Sequence, residues 1–172
     1  MSSTPKSTIH AKIVPTLWFV DQAVEAANFY VSLFPDSRVD SVTPIPADTP
    51  SGPAGSVPVV EFTLAGQPFT AFSGGPLDPF NHSISFSVSC ADQAEIDRLH
   101  GALSKGGAVE PCGWVRDRYG VSWQIVPAAL GAMLKDKDRD RARRVMEALL
   151  KMEKLDIARL EQAYAAERVA SR

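Results

Sequence analysis

Glu61, two cysteines and three histidines are the side chains in this sequence whose types could do chemistry. Glu61 lies in Val59-Val60-Glu61-Phe62-Thr63-Leu64, where strand alternation puts it on one face with Val59 and Thr63, opposite Val60, Phe62 and Leu64. A carboxylate partly withdrawn from water has its pKa raised and can serve as a general base, or it can accept hydrogen bonds from a bound molecule. A surface glutamate, or one paired with an arginine such as Arg116 or Arg118, fits the same segment. Cys112 precedes Gly113-Trp114 on a predicted strand and as a thiolate would be a nucleophile. The sequence places no base or cation beside it, so a buried, inert thiol is the expectation, and more so for Cys90. His10 falls in a polar lead-in, His100 beside the apolar stripe of a helix, and His82 one residue out of step with Ser83, Ser85 and Ser87. A one-residue offset points a strand side chain to the other face, so all three histidines are expected to be structural or solvated.

The elements that must hold these residues are legible from periodicity. Residues 1–10 have little to bury and read as a flexible lead-in. Ile13 to Val20 is a β-branched and aromatic strand that stops at Asp21, a plausible N-cap. Ala23, Ala27, Tyr30 and Phe34 then form a helical stripe ending before Pro35-Asp36. A short strand around Arg38 to Thr43, a Pro/Gly/Ser-rich loop over 44–58, and strands Val59 to Leu64 and Phe69 to Ser73, turned at Ala65 to Pro68, complete one unit. The order then repeats. Ser83 to Ser89 alternates small polar with apolar residues, Asp92-Gln93-Ala94 echoes Asp21-Gln22-Ala23, and Ile96, Leu99 and Leu103 give a stripe ending at Gly106-Gly107. Strands around Val109 to Cys112, Gly113 to Arg116 and Val121 to Val126 follow. Two βαβββ units about seventy residues apart therefore point to an α+β fold with an internal repeat.

Past Pro127 the residues turn to Ala, Leu, Met and mixed charge. Val145, Leu149 and Met152 predict one amphipathic helix, and Ile157, Leu160 and Tyr164 a second after a cap at Asp156, a hairpin that packs on the main domain or on a partner. The mixed-sign run Lys135 to Arg141 reads as a solvated helix start. The expected division is 1–10 lead-in, 11–76 first module, 77–128 second module and 129–172 helical extension. With 172 residues, a net charge of −2 and a pI near 5.9, the chain offers no electrostatic footprint for nucleic acid. It has no apolar run of transmembrane length, and two cysteines make no disulfide framework, so a cytoplasmic protein without membrane or nucleic-acid partners is expected.

The paired units resemble the vicinal oxygen chelate superfamily, the glyoxalase, bleomycin-resistance and ring-cleaving dioxygenase group. Pro15-Thr16-Leu17-Trp18-Phe19, Glu25-Ala26-Ala27-Asn28-Phe29-Tyr30, Phe34-Pro35-Asp36-Ser37-Arg38, Val60 to Phe69, Cys112-Gly113-Trp114, Asp117 to Gln124 and Leu155-Asp156-Ile157-Ala158 narrow the resemblance. Together they are similar to the PhnB-like branch, whose members are often labelled 3-demethylubiquinone-9 3-methyltransferase-like. The resemblance implies a curved mixed sheet, with helices on one face and a cup on the other, and a homodimer. Alternation assigns Val14, Thr16 and Trp18, then Ser83, Ser85 and Ser87, then Ser122, Gln124 and Val126 to the cup, and Ile84, Phe86 and Val88 to the helix side. Metal enzymes of the superfamily place His or Glu at matching strand positions. Those places fall here on Val14, Ser83, Gln124 and a Phe69–Gly75 strand without acid or histidine. No metal and no cofactor are expected. His82, Glu61 and water are the form an atypical metal site would take.

The expected function is therefore binding of a small, partly aromatic or hydrophobic molecule by Thr16, Trp18, Glu61, Ser83, Ser85, Trp114 and Gln124. The alternative is an enzyme of the same superfamily, with lyase or isomerase chemistry on Glu61 as base or with the atypical metal site. The methyltransferase label is disfavoured as an activity. Gly74-Gly75-Pro76 and Gly106-Gly107 lack the spacing and the strand-to-helix context of a Gly-rich nucleotide turn.

Overall fold

The structure, a computed structural model, describes residues 11–75 and 78–166. The expected lead-in with His10, and positions 76 and 77, lie outside the described residues. The chain divides into two compact units, Met1–Asp78 and Pro79–Arg172.

The first unit runs β1 (Thr16–Phe19), α1 (Ala23–Leu33), β2 (Arg38–Pro44), β3 (Pro58–Leu64) and β4 (Gln67–Ser73), with sheet order β1-β4-β3-β2. Only β1 and β4 pair in parallel, as the helical crossover between β1 and the rest of the unit permits. The β3–β4 hairpin turns on Ala65 and Gly66, both at positive φ, as a two-residue turn matched to strand twist requires. Helix α1 packs on β3, β4 and β2, burying Ala23, Ala26, Ala27 and Tyr30 against Leu17, Val60, Phe62, Phe69 and Ala71. Each fully buried large side chain contributes about 1.5–3 kcal/mol. The three alanines let the helix approach the sheet closely. Asp21 does not cap α1. The N-cap position is Gln22, and the Ala23 amide donates to Ser73 Oγ at the end of β4, so a tertiary hydroxyl replaces the expected local cap.

The second unit repeats the pattern: β5 (Phe86–Cys90), α2 (Gln93–Ser104), β6 (Ala108–Val109), β7 (Trp114–Arg116) and β8 (Ser122–Pro127), in sheet order β5-β8-β7-β6. Asp92 caps α2 by accepting from the Glu95 amide, while Glu95 accepts from the Ala91 amide. Ile96, Leu99 and Leu103 face Val115, Trp123 and Ile125. Asp117, 3% exposed, organises the β7–β8 turn by accepting from the Tyr119 and Val121 amides and from Trp123 Nε1 at 2.8–3.0 Å.

Three sequence expectations need correction in this unit. The strand predicted from Ser83 starts at Phe86, because Asn81 Oδ1 takes the Ser83 amide and holds 82–84 in a turn; Ile84 is exposed, not packed on α2. Cys112 is not on a strand. It occupies a 3₁₀ turn, Pro111–Gly113, at φ 65°. The extension past residue 128 has three helices, not two: α3 (Leu130–Leu134), α4 (Arg139–Leu149) and α5 (Ile157–Ala165). Asp138 and Asp156 cap α4 and α5. Leu130, Val145, Leu149, Met152, Leu155 and Leu160 form their core, and Cys112 and Val126 pack against it. The segment before α5 is tied to the unit by Cys112 N–H to Met152 O and Gly113 N–H to Glu153 O, both 2.7 Å, and by Gln93, which bonds Leu155 O and the Ile157 amide.

Cys90 is buried, and desolvation first and Glu95 second push its thiol up to about 11, which keeps it protonated and inert at neutral pH. His100 on α2 is buried with no hydrogen-bond partner for Nε2 among the described residues, and burial, with Lys154 next, holds its pKa below the ordinary value.

Two predictions follow from these buried polar groups. Asp117→Ala leaves two backbone amides and the Trp123 indole N–H without their acceptor and should cost about 2–4 kcal/mol in urea unfolding; a loss below about 0.5 kcal/mol would contradict the role given to Asp117. For His100, the folded state prefers the neutral ring, so its contribution is complete above the unfolded pKa of 6.5 and is lost as pH falls through the lower folded value. Unfolding free energy measured against pH should therefore fall more steeply below 6.5 in the native protein than in His100→Gln, and parallel acid limbs would refute it.

Candidate functional site

In the first unit, α1 covers one sheet face and leaves alternate residues on the other. Thr16 and Trp18 are exposed while Leu17 and Phe19 are buried. Strand register then lines up two rows across that second face. Ser41 pairs with Glu61, Glu61 with Thr70 and Thr70 with Thr16, giving a polar row that crosses all four strands. The next row is Thr43, Val59, Phe72 and Trp18. Thus the strand register puts Glu61 on one face with Thr16 and Trp18, while Val14 precedes β1.

Glu61 is half-buried, and Ser41 Oγ donates to its Oε2 at 3.0 Å. That hydroxyl, not an arginine, is its partner. Arg116 approaches Glu110 instead, and the Arg118 guanidinium lies 5.7 Å from the Tyr119 ring centroid. One row away a register shift between Val39 and Ser41 turns Asp40 onto the same face, where it accepts from Thr63 Oγ1 at 2.8 Å and pairs with Arg38 Nε at 2.6 Å. Asp40 therefore has its counter-ion, whereas no lysine or arginine among the first unit's described residues pairs with Glu61. Glu61 and Ser41 line a groove of about 310 Å³, walled by Val59, Thr43, Pro44 and Ile45.

Trp18 is fixed on this face by packing. Its ring stands 4.6 Å from that of Phe72, and a Cβ on Gly74 would come 2.1 Å from the Trp18 indole nitrogen, so only glycine leaves room for the ring in this position. The sequence assigns none of Ser41, Thr70, Phe72 and Gly74 to the site, and Gly74 reads there only as a turn glycine. Alternation along Phe69 to Ser73 marks Thr70 and Phe72, but the bulge at Asp40 breaks the pattern that would have marked Ser41.

In the second unit, Gln124 Nε2 donates to Ser85 Oγ at 2.9 Å, and the register pairs Gln124 with Ser87 and with Trp114. These residues form a polar face with one aromatic wall, opposite Trp123 and Ile125. Ser83 does not join it, since it lies in the turn before β5. His82 stands beside Trp114, 5.7 Å between ring centroids, with Nε2 2.6 Å from Glu110 Oε2. The offset argument misplaced it because residues 82–84 are not strand. Val126 shares the face of Gln124 but packs against the C-terminal helices, which close that end of the face.

The donor chemistry at the positions the fold would use for a metal does not fit one. Val14 has no side-chain ligand atom, Ser83 sits in a turn, Gln124 is a neutral amide whose Nε2 donates to Ser85, and β4 presents Thr70 and Phe72. Among the described residues no group of three or more His, Cys, Asp or Glu could hold a metal ion. No helix among them is long and apolar enough to cross a membrane.

Comparison with known proteins agrees with this architecture. The family model described as 3-demethylubiquinone-9 3-methyltransferase matches residues 11–126, which hold both βαβββ units and stop before the C-terminal helices. A Bacillus cereus protein of known structure, described as a putative 3-demethylubiquinone-9 3-methyltransferase, PhnB protein, is 32% identical over 69% of this chain and 100% of that one, with a TM-score of 0.60. Protein PA1353 from Pseudomonas aeruginosa shares the fold at 22% identity, over 66% of this chain and 94% of that one, with a TM-score of 0.54. The fosfomycin resistance protein FosX from Mesorhizobium loti aligns over 67% of this chain and 90% of its own at 15% identity and a TM-score of 0.47. No curated protein matches the chain. By its family match and its identity to the Bacillus cereus protein, the chain belongs to the 3-demethylubiquinone-9 3-methyltransferase (PhnB-like) family of the vicinal oxygen chelate superfamily.

Proposed function

We propose that the protein binds a small, partly aromatic or hydrophobic molecule on the sheet faces turned away from the helices, without a metal. The observation that carries this reading is the pairing of rows on the first sheet: a polar row, Ser41-Glu61-Thr70-Thr16, beside an apolar row ending in Phe72 and Trp18, next to a groove of about 310 Å³. That volume is at the lower end of the range for small-molecule sites. An exposed, rigidly seated indole supplies a stacking wall at little entropic cost, and the polar row orients the molecule. The Ser85-Gln124-Trp114 face of the second unit offers the same mixture of amide, hydroxyl and aromatic groups.

A methyltransferase reading has less support. Each four-stranded sheet carries its helix on one face, and the glycine pairs 74–75 and 106–107 sit at a strand end and after a helix, not between a strand and the helix it feeds. Catalysis by Glu61 as base is the second reading, favoured by its half-buried position in the groove. The cytoplasmic setting and the homodimer belong to the proposal as well. The exposed Met146 on α4 and Leu150 at its C-cap support association.

A bound molecule stabilises the native state by about 2.7 kcal/mol at a hundredfold excess over Kd. Screening small aromatic compounds by thermal unfolding should therefore yield stabilisers whose effect is unchanged by chelator and lost in Trp18→Ala. Stoichiometric zinc, iron or manganese that disappears in His82→Ala or Glu61→Ala would overturn the metal-free reading. Chemical turnover of such a compound, abolished in Glu61→Gln, would replace binding by catalysis. Sedimentation velocity at micromolar concentration should show a dimer, and a monomer would refute the oligomeric part.

A further inference from the structure

We infer that the molecule held in the first unit's groove is an organic amine, its ammonium or guanidinium group on Glu61 and its apolar body over Val59, Phe72 and Trp18. This rests on the binding reading above and narrows it to a chemical class.

The charge pattern on the face makes the case. Two carboxylates project there, and the fold treats them differently. Asp40, with a side chain only 8% exposed, has both an arginine and a threonine hydroxyl. Glu61, half-buried, has one hydroxyl donor from Ser41. An ionised carboxylate has about four lone-pair sites, so most of the accepting capacity of Glu61 is left to whatever fills the groove. In solution an open groove is hydrated by water. A molecule that displaces that water must bring N–H donors and positive charge of its own, or the carboxylate loses solvation without recompense.

The remaining lining sorts the candidates. An anionic ligand would meet Glu61 with no lysine or arginine among the groove residues. A divalent cation would find one carboxylate and the hydroxyls of Ser41 and Thr43, too few side-chain oxygens for calcium and without the nitrogen or sulfur donors of a zinc site. A neutral ligand would donate hydrogen bonds to the carboxylate but bring no charge to balance it. An alkylamine is protonated at neutral pH like a lysine side chain and carries up to three donors. The rest of the wall, Val59, Pro44, Ile45 and Pro46, is apolar, and Val59 continues along its row into Phe72 and Trp18. Beyond the groove's own lining, the Phe72 and Trp18 rings, with centroids 4.6 Å apart, give the aryl end of an arylalkylamine a surface to stack on.

Three probes of one shape test the class: 2-phenylethylamine, 2-phenylethanol and phenylacetate, titrated into the full-length protein near neutral pH and followed by calorimetry. The amine should bind about tenfold or more tightly than the alcohol, and phenylacetate most weakly, since a charge-assisted hydrogen bond is the added interaction. Glu61→Gln should erase the preference while Trp18→Ala weakens the amine and the alcohol alike; circular dichroism of both variants establishes that they are folded. Equal binding of amine and alcohol, unchanged in Glu61→Gln but lost in Trp18→Ala, would overturn the amine assignment and leave the binding face standing. Absence of binding by all three up to about 10 mM would overturn both.

Discussion

The register between β1 and β4 is the constraint on which the first unit's site depends. Pairing Thr16 with Thr70 in parallel, with Glu61 and Ser41 aligned beyond them, puts four polar side chains from four strands in one line. Because side chains alternate, a shift of β4 by one residue would send Phe69 and Ala71 to the outer face and bury Thr70 and Phe72 under α1. The apolar contact of Tyr30, Ala26 and Ala27 with Val60, Phe62 and Ala71 opposes that shift. The core thus selects the register, and the register composes the outer face. Gly74 adds a second condition, since the Trp18 indole occupies the space a side chain there would need.

The second unit meets the same requirement by other means. Its β7–β8 turn is held by one buried carboxylate, Asp117, and its far end by the C-terminal helices. Those helices are joined to the unit through backbone hydrogen bonds at Cys112 and Gly113 and through both ends of the Gln93 amide. A Cβ at Gly113 would come 2.8 Å from Ile125 O and 2.9 Å from Leu155 Cγ, so the close approach of the extension to the sheet depends on that glycine. By taking Val126 into their own core, the helices shorten the face that Gln124 and Trp114 present. The two units therefore have different outer faces despite a common order of elements.

Much of the fold was legible in the sequence because burial on one side imposes period two on strands and a stripe on helices. The segments Thr16 to Phe19 and Val59 to Leu64, and the stripe Ile96, Leu99 and Leu103, carry that imprint plainly. Reading failed where a local side-chain hydrogen bond competes with the ladder. Asn81 draws Ser83 out of β5 although Ser83 to Ser89 alternates without a break. Cys112 sits at positive φ in a turn that the extension fastens, which no local propensity announces. At the site, alternation relates Thr16 to Trp18 and Glu61 to Val59, but that the two sets share a face depends on the pairing of β1, β4 and β3. The partner of Glu61 was not, because the bulge at Asp40 displaces Ser41 by one position and nothing in Arg38 to Thr43 signals it. That Arg38, the one arginine of the unit, pairs with Asp40 and not with Glu61 is likewise a tertiary fact.

The central claim is that the outer face of the first sheet is a binding surface. The most direct measurement is a two-dimensional ¹H–¹⁵N spectrum of the assigned protein titrated with 2-phenylethylamine. The account predicts saturable shifts at the amides of Thr16, Ser41, Glu61 and Thr70 and at the Trp18 indole N–H, with the amides of α1 and α4 unmoved. Shifts confined to the C-terminal helices or absent from that face at saturation would contradict it.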